Sequence, residues 1–293
     1  MDSGMTRIDA WALAGLLILA STVGTAFAAP PVGDGVEVDD PGDYLPLEPR
    51  AAVDGLTAVA IAWGQYPDYE GSGDHRSGLA PAFRKDFRGS TRYVQLLGPE
   101  LSFNALDHPA WAAGPLIQYR FGRDHDVEDP EVARMREIDA TVDLGGFVSW
   151  RRVDPDEIRN RLSLRAELRA DVGGVYDSYL ASVSAMAVRR LALPVDLIAT
   201  AGASYAGRGY MDTYFSVTPR NVGDAALPFY QAHAGGRDVR AGLAVMLHFS
   251  RAWHLGIGGQ YRRLLSGPAD SPLVRERGDA NQWLGGAALI YAW

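Results

Sequence analysis

Strict alternation of apolar and polar side chains constrains this chain more than any other feature of its sequence. The alternation is clearest over residues 161–171, where Leu162, Leu164 and Leu168 share one parity and mostly charged side chains occupy the other. Successive side chains of a strand point to opposite faces, whereas a helix would mix the two sets around its circumference. The segment therefore predicts a β-strand with one apolar face and one charged face.

The same alternation recurs along the chain and divides it into twelve candidate strands. Strands of about ten residues, apolar on one face and polar or small on the other, are typical of a transmembrane β-barrel. A soluble β-sandwich also alternates, so the alternation alone leaves that alternative open. The candidate strands cover residues 55–66, 79–88, 91–97, 100–106, 112–123, 139–152, 160–172, 179–192, 195–210, 237–251, 253–265 and 281–293.

The strand count depends on the Gly98-Pro99 pair. The apolar side chains before it, Val94 and Leu96, are even-numbered, whereas Leu101 and Phe103 after it are odd-numbered. Such a change of phase requires a turn or a bulge. A turn gives twelve strands and a bulge gives eleven, and bacterial outer-membrane barrels have an even number. We predict an all-β fold, an antiparallel transmembrane β-barrel of twelve strands, within a range of ten to fourteen.

An even strand count places both ends of the barrel on the periplasmic side. Short links such as Leu193-Pro194 and Arg251-Ala252 are then predicted to be periplasmic turns. The longer links are predicted to be extracellular loops, and they cover residues 66–78, 124–138, 211–236 and 266–280.

The N-terminal segment has the three parts of a secretory signal. Arg7 precedes an apolar run at residues 12–20, and Ala26-Phe27-Ala28 has small residues at both positions that a signal peptidase reads. The run is too short for a transmembrane helix. A Pro-rich acidic stretch follows, with too little apolar content to pack. The predicted domains are a cleaved signal peptide at 1–28, a flexible periplasmic tail at 29–54 and an outer-membrane β-barrel at 55–293.

The last strand carries a second indication of location. Leu289, Tyr291 and Trp293 lie two apart on one edge that we predict to face lipid. An alternating C-terminal strand that ends in an aromatic residue is similar to the signal that the barrel-assembly machinery reads. Together with the signal peptide, this strand predicts the outer membrane of a Gram-negative bacterium. The predicted surroundings are outer-membrane lipid and lipopolysaccharide.

Composition excludes several kinds of site. The chain has no cysteine, which rules out disulfides, thiolate metal sites, cysteine nucleophiles and a lipoprotein anchor. The net charge of −8 argues against nucleic acid as a partner, because nucleic-acid-binding proteins are normally basic.

Two serines next to aspartates, Ser178 and Ser271, are the candidate nucleophiles of a barrel hydrolase. No G-x-S-x-G motif is present, and none of the six histidines has a diagnostic spacing, so we interpret both as structural loop residues. Residues 124–129 are acidic and could hold a divalent cation, but they lack the glycine and final glutamate of an EF-hand. We interpret this segment as a solvated loop. The chain is predicted not to be an enzyme and to have no catalytic, cofactor or metal site.

Charged residues on the predicted inner faces of the strands are the most informative set. They either pair across the lumen and fill a narrow barrel, or line a hydrated pore whose arginine excess favours anions or polar solutes. Twelve strands leave only a small lumen, so any channel would be narrow. The residues are Arg84, Asp86, Glu100, Arg120, Asp143, Arg161, Arg165, Glu167, Arg169, Arg240 and Arg262.

Four loop segments resemble those of the MipA/OmpV family, also called the MltA-interacting protein family. The chain departs from the family at Ser216, where glycine is more usual, and at Trp293, where the family usually ends in phenylalanine. The segments are Tyr66-Pro67-Asp68-Tyr69-Glu70-Gly71-Ser72, Gly114-Pro115 with Tyr119-Arg120-Phe121-Gly122-Arg123, Tyr214-Phe215-Ser216-Val217-Thr218, and Asp270-Ser271-Pro272-Leu273-Val274.

This resemblance implies an outer-membrane barrel with one of two roles described for relatives. One role is a scaffold that links a lytic transglycosylase to a murein synthase, and the other is a pore or an adhesin. We therefore predict a structural or scaffolding barrel, with a narrow porin or an adhesin as the alternatives. A barrel hydrolase ranks far below these.

Overall fold

Twelve antiparallel strands close into a barrel in the computed structural model, which describes residues 57–192, 194–250 and 252–293. The predicted signal peptide and periplasmic tail lie outside the described residues. Each strand pairs with its neighbours in the chain, and β1 pairs with β12. The strands are β1 Thr57–Pro67, β2 His75–Asp86, β3 Tyr93–Leu97, β4 Glu100–Asn104, β5 Trp111–Arg120, β6 Thr141–Val153, β7 Arg161–Asp171, β8 Tyr179–Ala192, β9 Val195–Ala206, β10 Gly235–His248, β11 Trp253–Leu264 and β12 Asn281–Ala292.

Helices in the described residues are short and lie in the longer loops. None of them is long and apolar enough to cross a membrane. They are a 3-10 helix at Val132–Arg134 and the α-helices α1 Arg208–Phe215, α2 Ser266–Ala269 and α3 Pro272–Arg275.

The change of phase at Gly98-Pro99 is a turn, so the prediction of twelve strands is confirmed. Leu97 pairs with Glu100, which leaves a two-residue loop, and Gly98 has a φ of +54°. A type II′ hairpin turn needs a positive φ at its first central residue, and glycine adopts it without strain. β3 and β4 have only five residues each. At about 3.4 Å per residue this hairpin is about 17 Å long, roughly half the length of the other strands.

The outer surface of the barrel is apolar and has aromatic residues at two levels. Trp253 packs against Tyr291 near one end and Tyr261 against Trp283 near the other, each pair with ring centroids 4.9 Å apart. Eight residues separate the levels along each strand, which is about 27 Å of strand and about 21 Å along the barrel axis at a tilt of ~40°. This height suits the apolar band of an outer-membrane barrel, which is about 25 Å tall.

Two predicted strand limits are wrong by four residues, the largest differences from the structure. β2 begins at His75 and not at residue 79, because its pairing with β1 continues to Pro67. The loop predicted at 66–78 therefore shrinks to residues 68–74. β9 ends at Ala206 and not at residue 210, because the chain turns into α1 directly afterwards. Helix α1 thus occupies residues that alternation had assigned to strand and loop.

Candidate functional site

A lattice of charged side chains joins β4, β5 and β7 inside the barrel. Glu100 of β4 accepts from Arg165 and Arg169 of β7 at 3.3 and 3.2 Å. Glu167 of β7 accepts from the same two arginines at 2.5 and 3.3 Å. Arg169 also donates to Gln118 of β5. Two arginines and two glutamates therefore neutralise one another, as buried charges require.

The extracellular mouth is filled by what we call the tyrosine plug, formed by Tyr176, Tyr210 and Tyr214. Tyr210 and Tyr214 lie on α1, which folds into the mouth, and their ring centroids are 4.5 Å apart. Tyr176 lies 5.2 and 6.0 Å from them. All three are buried, and Arg120 of β5 lies over their rings at 5.0 to 5.8 Å. A cation over aromatic faces stabilises this arrangement beyond simple apolar burial.

Ion pairs attach the plug to the barrel wall on one side. Arg120 donates to Asp143 of β6 at 2.7 Å, and the Tyr176 hydroxyl donates to the same carboxylate at 2.7 Å. Arg120 also donates to the Tyr210 hydroxyl at 3.3 Å. Asp143 is fully buried, so its charge depends on these partners.

A second set of polar contacts attaches the plug to β10. The Tyr210 hydroxyl donates to Glu70 at 2.5 Å and accepts from Arg237 at 3.0 Å. Arg237 also donates to Asp238 at 2.7 Å, and Arg240 donates to Asp238 at 3.2 Å. Burial, assisted by the charge of Glu70, raises the pKa of Tyr210 to about 12. The plug is therefore held by a connected network and not by isolated pairs.

The segments that resemble the MipA/OmpV family converge around this plug. The Tyr69 hydroxyl donates to the carbonyl of Arg277 at 3.2 Å, and the Ser271 hydroxyl donates to the carbonyl of Phe215 at 2.6 Å. Tyr69, Leu273 and Val217 share one buried apolar cluster. Residues from three separate loops thus build a single cap over the barrel. The motifs are distant in sequence, and only the closure of the barrel brings them together.

Ser271, one of the two candidate nucleophiles, has a structural use. Its side chain is fully buried and accepts from the Leu273 N–H at 3.3 Å, which caps the first turn of α3. Its hydroxyl proton is engaged by the Phe215 carbonyl. In the part of the chain that the structure describes, no histidine hydrogen-bonds to Ser178 or Ser271.

The acidic loop after β5 is used to fasten loops together. Asp126 pairs with Arg76 of β2 at 3.5 Å, and the Glu128 N–H donates to Asp68 at 2.7 Å. Asp129 pairs with Arg277 at 2.7 Å. Within the described ranges, no group of three or more histidine, aspartate or glutamate side chains is arranged to hold a metal ion. The loop is thus tied to its neighbours by ion pairs.

The periplasmic half of the lumen has two different walls. The first wall is polar: Arg84 of β2 donates to Asp86 at 2.9 Å and to Gln95 of β3 at 3.0 Å, and it lies 3.8 Å above the Tyr93 ring of β3. The second wall is apolar and consists of aliphatic side chains from β1, β2, β8, β9, β10 and β12. Its members are Ala58, Ala62, Ala80, Met186, Val188, Ile198, Ala244, Met246, Ala288, Ile290 and Ala292.

A cavity of about 300 Å³ remains in the lumen, bordered by the tyrosine plug and the ion-pair lattice. Its charged lining consists of three glutamates and six arginines. Five of the arginines pair with carboxylates, whereas Arg262 has none within ion-pair distance among the described residues. The charged lining residues are Glu70, Glu100, Glu167, Arg120, Arg165, Arg169, Arg237, Arg240 and Arg262.

All eleven charged residues named from the sequence lie at inward positions of their strands. Ten of them are in the contacts and cavity described above, and the remaining one, Arg161, is buried near the periplasmic end of β7. Their two roles, filling the lumen and lining a pore, stay predictions.

Sequence reasoning missed several inward charges. Arg237 was missed because a bulge between Gly236 and Asp238 shifts the parity of β10. Asp196 was missed although its even number fits the inward set of β9. It accepts from Arg159 at 3.2 Å and pairs with His248 at 2.9 Å. An adjacent pair of opposite charges, such as Arg237-Asp238, is the signal that could have revealed the bulge.

Comparison with known protein families shows to which family this chain belongs. The family model described as "MltA-interacting protein MipA" matches residues 59–293, which is the whole described barrel apart from its first two residues. The chain belongs to the MipA family. It is a Gram-negative outer-membrane β-barrel protein, in keeping with its closed twelve-stranded fold and apolar outer surface.

An outer membrane protein and several solved barrels are similar to this MipA-family chain. The outer membrane protein Omp26La of Vibrio anguillarum is 34% identical over 98 residues, which cover 33% of this chain and 36% of the relative. The translocator domain of the autotransporter NalP from Neisseria meningitidis is 11% identical, with a TM-score of 0.42 and coverage of 81% of this chain and 87% of that one. The NanC porin is 8% identical, with a TM-score of 0.42 and coverage of 80% and 98%.

Proposed function

We propose that this MipA-family barrel is an outer-membrane scaffold that holds a murein-remodelling enzyme at its periplasmic face. The observation that carries the proposal is the obstruction of the lumen. The tyrosine plug occupies the extracellular mouth, the ion-pair lattice joins β4 to β7 inside the lumen, and a cluster of buried aliphatic side chains narrows the interior further. A barrel whose lumen is obstructed in this way is better suited to binding partners at its surface than to conducting solutes.

The family description supports the class of partner. It names an interaction with MltA, and the resemblance described above implies a lytic transglycosylase and a murein synthase. The scaffold would contact them through periplasmic turns, of which residues 87–92 and 154–160 are two of the longest. Both turns carry exposed charges, including Arg88 and Asp156. Charges at the rim of an interface steer association and set its salt dependence.

Retention of the two enzymes on the immobilised full-length barrel tests the proposal. We expect an MltA-type lytic transglycosylase to be retained, and a murein synthase to be retained with it. Charge reversal at the turn tips, Arg88→Glu and Asp156→Lys, is expected to weaken retention by about tenfold. The control is Arg220→Glu, an exposed charge in the extracellular loop after α1. Failure of the wild-type barrel to retain either enzyme would contradict the proposal.

A narrow pore is the second candidate, and the lining of the cavity favours it. Six arginines against three glutamates would favour anions if the plug were displaced. Planar-bilayer recording separates the two functions. Conductance steps with anion selectivity would support the pore, and a silent bilayer would support the scaffold. The adhesin alternative stays a prediction.

A further inference from the structure

A second, smaller cavity, which we call the vestibule, lies at the periplasmic end of the lumen. Its volume is about 40 Å³, it is partly open to solvent, and residues of the periplasmic turns 87–92 and 105–110 contribute to its lining. Tyr93, Ser149 and Ser163 line both the vestibule and the larger cavity of the lumen. The vestibule therefore adjoins that cavity on its periplasmic side.

Arginine supplies the charge of the vestibule. Its charged lining residues are Arg84 of β2 and Arg151 of β6, and none of its described lining residues is acidic. Arg151 donates through Nε to the carbonyl of Pro109 at 2.8 Å, and its two Nη groups have no hydrogen-bond partner among the described residues. The charge of Asp86 acts on Arg151, but this carboxylate pairs with Arg84. Arg151 therefore has hydrogen-bond donors available to an occupant of the vestibule.

Arg161 adds a further positive charge beside the vestibule. It is buried on the inner face of β7, and the charges of Arg84 and Arg151 act on it. Asp196 is the carboxylate that acts on Arg161, but it already binds Arg159. Among these described residues, two carboxylates thus face four arginines. Since buried charges require partners, an anion bound at this end of the lumen would stabilise the arginines.

Hydroxyl groups complete the donor set. Arg151 pairs with Ser163 across the ladder between β6 and β7, and Ser149 lies two residues before Arg151 on the same inner face. The hydroxyls of Ser149 and Ser163 have no hydrogen-bond partner in the part of the chain that the structure describes. A hydroxyl donates readily to an anion, and a guanidinium forms strong charge-assisted hydrogen bonds with carboxylate and phosphate oxygens. These donors therefore match the oxygens of an anion.

The size of the vestibule suits one small anion. A cavity needs about 10–15 Å³ to hold a water molecule, so this one has room for about three waters or for the oxygens of one small oxyanion. Arginine is also the side chain best suited to planar recognition of phosphate and carboxylate groups. Volume, charge and donors together fit a small anion and not a cation or an acyl chain.

We propose that the vestibule binds a small oxyanion from the periplasm, a phosphate or carboxylate group. Its oxygens accept from Arg151, Ser149 and Ser163, and the charges of Arg84 and Arg161 add electrostatic attraction. The site needs no murein enzyme and so extends beyond the scaffold function.

Isothermal titration calorimetry of the full-length barrel in an uncharged detergent tests this inference. The probes are inorganic phosphate and acetate, each added at constant ionic strength. We expect at least one of the two to bind saturably, with one ion per barrel. The net charge of the chain is −8, so overall charge would repel the probes and does not account for binding. Failure of both anions to bind saturably overturns the proposal.

Neighbouring arginines on β6 provide a matched pair of variants. Arg151 lines the vestibule, whereas Arg152 is exposed. Arg151→Gln is expected to weaken anion binding about tenfold, and Arg152→Gln to leave it unchanged. Heat-modifiable migration on a denaturing gel verifies that each variant is a folded barrel. Equal binding by the two folded variants would remove Arg151 from the site and overturn the assignment.

Two further variants keep the test decisive. Ser149→Ala with Ser163→Ala leaves the contact of Arg151 with Pro109 intact and should weaken binding severalfold, even if Arg151→Gln does not fold. Arg262→Gln removes an arginine that lines the larger cavity but not the vestibule, and should leave binding unchanged. Unchanged binding in the folded double serine variant, or loss of binding in Arg262→Gln, would place the anion elsewhere and contradict the proposal.

Discussion

At the scale of single residues, Tyr210 connects the parts of the extracellular mouth. Its hydroxyl contacts Glu70, Arg120 and Arg237, which come from the first extracellular loop and from two strands. Its ring packs against Tyr176 and Tyr214. One side chain therefore joins the polar network to the aromatic cluster. Such a residue is expected to titrate abnormally and to be sensitive to substitution.

Alkaline titration provides the first prediction. The pKa of Tyr210 in the folded barrel is about 12 against an ordinary value of 10.0, because burial and Glu70 disfavour the phenolate. The stability from this shift is fully present below pH 10 and is lost as the pH rises towards 12. The tyrosinate absorbance of the folded barrel should therefore show a late phase that Tyr210→Phe reduces by one equivalent. A single phase near pH 10 in folded protein would contradict the assignment.

The pair of Arg120 with Asp143 provides the second prediction. Asp143 is fully buried, so Asp143→Ala leaves Arg120 without its counterion. We expect the free energy of unfolding in detergent, measured by urea titration, to fall by about 3–5 kcal/mol. The double variant Arg120→Met with Asp143→Leu should recover much of this loss. Glu137→Ala, in an exposed pair with His125, is the control and should cost less than about 1 kcal/mol.

At the scale of elements, short helices complete the cap that the strands cannot form. α1 places Tyr210 and Tyr214 in the mouth, and α3 places Leu273 against Tyr69 and Val217. α3 has only four residues, so its stability depends on its cap and its packing. Ser271 supplies both the cap and a hydrogen bond to the end of α1.

Removal of that cap provides the third prediction. Ser271→Ala should destabilise the extracellular loops by about 1–2 kcal/mol, measured as faster hydrogen exchange at residues 270–278. Ser266→Ala is the matched control, because the start of α2 has no side-chain cap. Ester hydrolysis by the purified barrel, measured in parallel, should be equal in the two variants. A selective loss of hydrolysis in Ser271→Ala would revive the hydrolase hypothesis.

At the scale of the whole molecule, the closed barrel and its filled lumen make one cooperative unit. The strands close in order from β1 to β12, and interior contacts join strands that are not neighbours, β4 to β7 directly and β5 to β10 through Tyr210. A barrel of this kind should run fast on a denaturing gel before heating and shift on boiling. Closure of the mouth should also control conductance.

Opening the mouth provides the fourth prediction. A variant with alanine at Tyr176, Tyr210 and Tyr214 removes the aromatic cluster but leaves the strand ladder intact. We expect the wild-type barrel to be silent in a planar bilayer and the triple variant to show anion-selective steps, because the cavity has an arginine excess. The control is alanine at Phe87 and Phe103, an aromatic pair on the outer surface. Silence of a folded triple variant would show that other obstructions suffice.

Prediction from the sequence succeeded where a local pattern carried the information. Alternation predicted twelve strands, and the change of phase at Gly98-Pro99 predicted a turn. Both predictions succeeded because consecutive residues of a strand alone determine which side chains share a face. The same parity assigned the charges of β7 to the inner face of the strand. Parity failed at Arg237, because one extra residue in a bulge reverses the relation between residue number and the face of the strand.

The sequence by itself determined the strand count, the inward and outward faces and the apolar surface, since each depends on neighbours in the chain. Only the tertiary structure decided what fills the lumen. Tyr69, Phe215 and Ser271 are far apart in sequence, and closure of the barrel brings their loops to one mouth. Contacts across a closed barrel depend on long-range pairing, which no local pattern encodes.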